Sequence, residues 1–364
     1  MGQKKHLPPA IEWPIAAALR AAMGTPLLLG LDNARRIADA LGALYPRLQE
    51  RRFERAVRNL TDAFPDWTDE RRRLVAVGCY QHVFKLAVEI LYAPRLITEE
   101  GFAQHLFFAD IAPGLSSLLS GEPCLLITGH TGNWELIGYA ISMLGFPVHA
   151  VYRPLDLRPL DRWLHETRRR RGLTLVSKFG AVRALPPAIR AGHPAGLVAD
   201  QSGGDRGLFV PFFGRLTSTY KSIGLLAMQT GATLVCGMAR RLGPRESPPG
   251  LPGNSRSPAG SMGYAIEMVD RFGPADWEGQ PDPLFYITAR YRRAIETMIR
   301  KDPAQYFWMH RVWRSRPAHE RLGKPFPGAL RDKLAALPWM TTPDVDALVA
   351  RSDGDAANLA SLQR

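Results

Sequence analysis

The sequence predicts an α/β fold: a central, mostly parallel or mixed sheet flanked by helices, with a helical region ahead of it. Three observations predict it. From about residue 121 onward, short apolar runs alternate with helical patterns. Before that point, apolar residues recur every three or four positions, the period of helices packed on one face. The chain is also long enough, at 364 residues with 46% hydrophobic composition, to bury a large core.

The elements follow in order. Ala34 to Leu48 and Phe53 to Leu60 read as helices, with Asp32 or Asn33 able to cap the first. Phe64-Pro65 breaks the pattern, and a further helix runs towards Tyr92 with Thr68 as its N-cap. Pro123 to Thr128 is a short buried strand, followed by a helix to Leu144 and a strand from Val148 to Tyr152. Leu160 to Arg171 is a basic helix, Leu173 to Val176 a strand, Val182 to Ala191 a helix and Ala195 to Ala199 a strand. Thr219 to Thr230 and Thr233 to Ala239 make the next helix and strand. Residues 243–263 are rich in Pro, Gly and Ser and read as a loop inserted in a strand hairpin that resumes at Tyr264. Pro281 to Ile299 is a helix, and two weak helical patterns lie beyond 325. The organisation is a helical region over 1–110, a core over 111–320 and an extension over 321–364.

The apolar stretch from Trp13 to Leu31 contains Arg20, Gly24, Pro26 and Gly30. A spanning helix needs about 20 mainly apolar residues, so an interfacial anchor is the preferred reading of this stretch. The net charge of +13 predicts an anionic partner. Zinc-finger spacing, an RNA-recognition motif and a basic zipper are missing from the sequence, which ranks a membrane or phospholipid above nucleic acid. Cys79, Cys124 and Cys236 are too few and too widely spaced for a disulfide framework or a zinc site. No His-Glu-x-x-His and no acidic cluster calls for a metal.

Two segments place an acid five residues after a histidine: His105 to Asp110 and His130 to Glu135. With nine His and 34 acids, about one such match arises by chance, so context must choose. His130 follows a strand, and Thr131-Gly132-Asn133 makes a turn in which Asn133 can cap the next helix. That puts His130 at the carboxyl end of a strand, where α/β sheets bind ligands. Glu135 falls in the first helical turn, where a carboxylate is favoured. His105 lies in an apolar, helix-like stretch and reads as a core or interface histidine. A neutral His130 can take the proton of a hydroxyl as it attacks a carbonyl, with Glu135 orienting the ring and turn amides or an arginine stabilising the oxyanion. The same pair could equally be a structural hydrogen bond at a helix start. Cys124 sits inside the apolar run and is not read as a nucleophile.

The stretch Leu126-Ile-Thr-Gly-His-Thr-Gly-Asn-Trp-Glu-Leu136 closely resembles the core motif of the lipid A biosynthesis acyltransferases, within the lysophospholipid acyltransferase superfamily. Val151-Tyr-Arg-Pro154, Val198-Ala-Asp-Gln201 with Phe209 to Gly214, and Tyr306-Phe-Trp-Met-His-Arg311 resemble further blocks, as do Asn59-Leu60 and Phe64-Pro65. The resemblance covers roughly residues 50–318, and the ordered set of blocks is more specific than any one of them. It implies a glycerolipid-acyltransferase-like sheet and an enzyme on the cytoplasmic face of the bacterial inner membrane. The implied donor is an acyl carrier protein or acyl-CoA thioester, without a further cofactor, and the implied acceptor is a hydroxyl of a phosphorylated glycolipid. It implies His130 as base and Glu135 as its partner. Asn133, Arg153, Arg168, Arg171, Asp200, Gln201 and Arg311 become candidates for substrate, phosphate or carrier-protein contact, arginine being suited to bidentate phosphate recognition. The rival acceptors are a lysophospholipid, a mannolipid or an aminolipid. The rival class is a non-catalytic basic membrane-binding protein.

Overall fold

The computed structural model describes residues 8–169, 172–243, 246–249 and 262–361. Four helices open the chain: α1 (Pro9–Gly24), α2 (Leu31–Leu44), α3 (Glu50–Ala63) and α4 (Asp69–Leu96). The Trp13–Leu31 stretch is not one rod: Gly30 takes a left-handed φ of 76°, and the helices on either side meet at 120°. Helix α1 has 16 residues, short of a bilayer span, and turns Glu12 and Ala16 inward while Ile11, Trp13, Ile15 and Leu19 are exposed. Helix α4 begins at its Thr68 cap, whose side chain accepts from the Arg71 amide. It is long and apolar enough to cross a membrane, and it buries Glu89 in an ion pair with Arg241 and His82 in a hydrogen bond to the same arginine.

The alternating part then follows: β1 (Leu106–Ala109), α5 (Ala112–Leu119), β2 (Cys124–Thr128), α6 (Trp134–Met143), β3 (His149–Tyr152), α7 (Arg158–Arg169), β4 (Thr174–Ser177), α8 (Ala181–Arg190) and β5 (Ala195–Val198). After a hairpin of β6 (Leu208–Phe212) and β7 (Arg215–Thr219) come α9 (Lys221–Thr230), β8 (Thr233–Arg241), β9 (Tyr264–Phe272), α10 (Pro274–Trp277) and α11 (Pro283–Lys301). The chain closes with α12 (Ala318–Arg321), α13 (Gly328–Ala335) and α14 (Thr342–Ser361). Seven strands form one sheet in the order β1-β9-β8-β2-β5-β3-β4. All neighbours are parallel except β8 and β9, which make an antiparallel pair. The α/β prediction and the hairpin around 243–263 are both met; most of that insert, 244–245 and 250–261, lies outside the described residues.

One sequence expectation is corrected. Leu106 to Ala109, read as helix-like, is an edge strand: a run of four apolar residues has no length to favour a helix, and β9 supplies a ladder. The segment Phe209 to Gly214 lies in a separate two-stranded hairpin beside the main sheet.

Alternation along β2 divides the interior. Leu125 and Ile127 point into the main core with α8, α9 and α11, which contribute Ile189, Ala227 and Ile295. Leu126 and Thr128 point to the opposite face and line a cavity. The C-terminal helices dock on the β6–β7 hairpin, where Arg215 bonds Asp355 through both Nε (2.7 Å) and Nη2 (2.8 Å).

Candidate active site

The site is set by strand register. β2 and β5 are adjacent and parallel, and Thr128 stands opposite Val198. Two residues beyond each lie His130 and Asp200, so the ladder delivers both to one spot at the carboxyl ends of the strands. His130 Nδ1 lies 2.6 Å from Asp200 Oδ1. Gly129 permits this closeness: a Cβ there would come within 3.0 Å of Ile295 Cγ2 and 3.5 Å of Asp200 Cβ.

Asp200 is fully buried, while the His130 side chain keeps 21% exposure. Burial pushes the Asp200 carboxyl up, but the charge and hydrogen bond of His130, with His310 and Arg292 behind them, hold it far below the usual carboxylate range. For His130, burial opposes protonation; the Asp200 charge, its hydrogen bond and Glu135 outweigh that, and the pKa is raised. Nδ1–H therefore donates to Asp200, and Nε2 has no hydrogen-bond partner among the described residues. A buried carboxylate on Nδ1 with a free Nε2 is the arrangement of a general base.

The sequence reading had Glu135 orienting this ring. Its carboxylate instead meets Arg168 of α7, Nε to Oε2 at 3.0 Å and Nη2 to Oε1 at 2.5 Å. Glu135 stands in the first turn of α6, close enough for its charge to reach His130 but hydrogen-bonded elsewhere. The turn amides expected to stabilise an oxyanion are also engaged: Gly132 N donates to Gln305 O at 3.0 Å and Asn133 N to Ala239 O at 2.7 Å.

The remaining candidates separate by position. Arg153, Arg168 and Gln201 line the cavity beside His130 and Glu135. Asn133 is fully buried and faces inward, accepting from Leu136 N at 3.0 Å and donating to Tyr264 Oη at 3.2 Å, so it builds the turn rather than meeting substrate. Arg311 is exposed and does not line the cavity. Arg171 lies outside the described residues.

The sequence offered Asp200 as a substrate contact rather than a partner of His130, and His310 only as part of a family block. His310 Nε2 lies 3.7 Å from Asp200 Oδ2 and 2.8 Å from the Tyr306 hydroxyl. Burial above all drops its pKa to about 4, so it is neutral beside the buried carboxylate. Asn59 of α3 holds this segment by donating to the carbonyls of Trp308 (2.7 Å) and His310 (2.9 Å). Arg292, buried in α11, donates from Nη1 to the Asp200 carbonyl at 2.5 Å. Cys124 is buried and pushed up to about 12, which leaves it a thiol.

His130 opens on a cavity of about 870 Å³. Its walls are largely apolar, with Leu126, Ile137, Ile141, Val148, Leu173 and Val235 among them. A largely apolar space with a base in its lining suits a substrate with a hydrocarbon chain and one reacting polar group.

Residues 2–246 match the family described as bacterial lipid A biosynthesis acyltransferase. The chain belongs to this family. It is 26% identical over 291 residues to the lipid A biosynthesis lauroyltransferase of Escherichia coli (strain K12), covering 78% of this chain and 85% of the relative. It is 24% identical over 284 residues to the lipid A biosynthesis palmitoleoyltransferase of the same strain, covering 77% and 84%. A lipid A biosynthesis acyltransferase of Haemophilus influenzae is 28% identical over 305 residues, covering 80% and 87%. The protein is an acyltransferase of the lipid A biosynthesis type, and the resemblance carried by Leu126 to Leu136 named its family correctly.

Proposed function

We propose that the enzyme transfers a fatty acyl chain from an acyl carrier protein or acyl-CoA thioester to a hydroxyl of a lipid A-type glycolipid precursor, directly and without an acyl-enzyme. The observation that carries this reading is the 2.6 Å His130–Asp200 contact, with His130 lining the largely apolar cavity. The acyl chain occupies the cavity and its thioester carbonyl lies at His130. Nε2 takes the proton of the acceptor hydroxyl as the oxygen attacks the carbonyl carbon. Asp200 keeps Nδ1 protonated and stabilises the imidazolium, and Glu135 adds negative potential nearby. The tetrahedral intermediate then expels the thiolate, which receives the proton from Nε2. The amides of Trp134 and Glu135 start α6, where no helical carbonyl reaches them, and we assign them as donors to the oxyanion.

Arg153, and Arg168 alongside its pairing with Glu135, bring positive charge to the cavity rim and suit a phosphorylated acceptor or an acidic carrier protein. The outward apolar side chains of α1 suit attachment at the cytoplasmic face of the inner membrane. A transfer assay tests the reading: labelled acyl carrier protein thioester, a tetra-acylated lipid A precursor, and wild type beside His130→Ala. Product from wild type alone supports it. Undiminished product from His130→Ala overturns it, and His130-dependent thioester hydrolysis without transfer redirects the search to another acceptor lipid.

A further inference from the structure

A buried ionic cluster lies behind the turn that carries the site. Glu89 of α4 is fully buried and accepts from Arg241 at the end of β8, Nε at 2.8 Å and Nη2 at 2.5 Å. Arg35 Nε of α2 stands 3.0 Å from the same carboxylate, and the Tyr264 hydroxyl donates to it. Two arms reach forward from this pair. Arg241 Nη1 donates to His82 Nδ1 at 2.8 Å, and His82 Nε2 lies 3.2 Å from the Gly132 carbonyl. Tyr264 Oη accepts from the Asn133 side chain at 3.2 Å.

The proton inventory closes with one assignment. Burial first, and then the Arg241 charge, keep His82 neutral. Its Nδ1 is the acceptor, so Nε2–H is the donor to Gly132. The turn is gripped from other sides as well, through the Gln305 and Ala239 carbonyls. Gly132 has φ 57°, and a Cβ there would sit 2.2 Å from Ala239 O, so the turn has one seat. A buried ion pair is a poor source of stability compared with apolar packing, but it imposes one geometry on what it touches.

We infer that His82 and Tyr264, anchored by the Glu89–Arg241 pair, are positioning residues that hold the 131–134 turn, and through it His130 and the first turn of α6, in the reactive arrangement. The inference rests on the reading of His130 as the base. It goes beyond that reading in assigning a catalytic purpose to four buried groups that touch neither the cavity nor each substrate.

The experiment uses the full chain in mixed micelles with His82→Ala, His82→Gln and Tyr264→Phe, assayed where each is folded by circular dichroism. His82→Ala and Tyr264→Phe should lower kcat by roughly ten- to a hundredfold through misplacement, with KM for both substrates unchanged. His82→Gln, whose amide can still donate to Gly132, should recover much of the loss. A second readout needs no turnover: the His130 imidazole titration by NMR, assigned with His130→Ala, should move down towards the ordinary value of about 6.5 as the ring loses its fit to Asp200. Unchanged kcat and an unchanged His130 titration in folded His82→Ala and Tyr264→Phe would overturn the proposal and leave the cluster a structural one. If instead His130→Ala still transfers acyl groups, the base reading fails, and the titration still reports whether the turn is held.

Discussion

His105 to Asp110 and His130 to Glu135 have the same spacing and opposite surroundings. His130 follows β2, a central strand, and Asp200 follows the neighbouring β5 at the matching position. His105 precedes β1, a strand at the margin of the sheet paired with β9. There the ring nitrogen meets a backbone carbonyl, His105 Nδ1 to Met262 O at 2.7 Å, and the side chain is buried. One histidine is joined to a charge and opens on a cavity; the other fastens two segments of backbone. The spacing to a following acid decided neither outcome. The strand next door did.

That comparison can be broken most severely at His130. His130→Ala should reduce transfer by on the order of 10²–10⁴ while thermal unfolding stays close to wild type, since the ring is partly exposed and lines a cavity. The matching change, His105→Ala, should do the reverse, and a large loss of kcat there with intact folding would erase the distinction drawn between the two.

Asp200→Asn sharpens the case next. It should lower kcat by on the order of 10²–10⁴, because the amide can set the wrong tautomer on His130. The pH profile carries a sign. The base must be neutral, so the rate rises with pH through the His130 midpoint, which lies above the ordinary value because of Asp200. Removing that charge should move the acid limb to lower pH even as the plateau falls. An acid limb that stays in place would mean that another group controls it.

Arg168→Met tests the second carboxylate. It removes a partly exposed bidentate pair, so a loss of roughly tenfold in kcat/KM is expected, with little change in melting temperature. If Glu135→Gln gives a far larger loss than Arg168→Met, Glu135 acts on the reacting atoms in its own right. The smallest effect on turnover belongs to His105→Ala. Leaving the Met262 carbonyl unpaired should cost about 1–3 kcal/mol of stability, measured by denaturant unfolding, with kcat unchanged.

Much of this site was legible along the chain because its causes are local. Apolar runs bounded by turn residues marked β2 and β5, and Asn133 three residues before Leu136 marked the start of α6. A glycine at 132 marked a tight turn after the histidine. These are matters of a few consecutive residues, and elementary conformational preference decides them. The family was legible for a related reason, since its blocks lie in order over most of the chain.

Tertiary structure decided which groups meet. Asp200 is 70 residues from His130 and Arg168 is 33 from Glu135, and no local pattern announces either pairing. Asn133 could be read as a substrate contact until Tyr264, 131 residues away, was seen to take its amide. Leu106 to Ala109 became a strand only because β9 offered it a ladder. Hydrogen bonds and ion pairs act over about 3 Å, and sheet register, not sequence separation, brings side chains within that range.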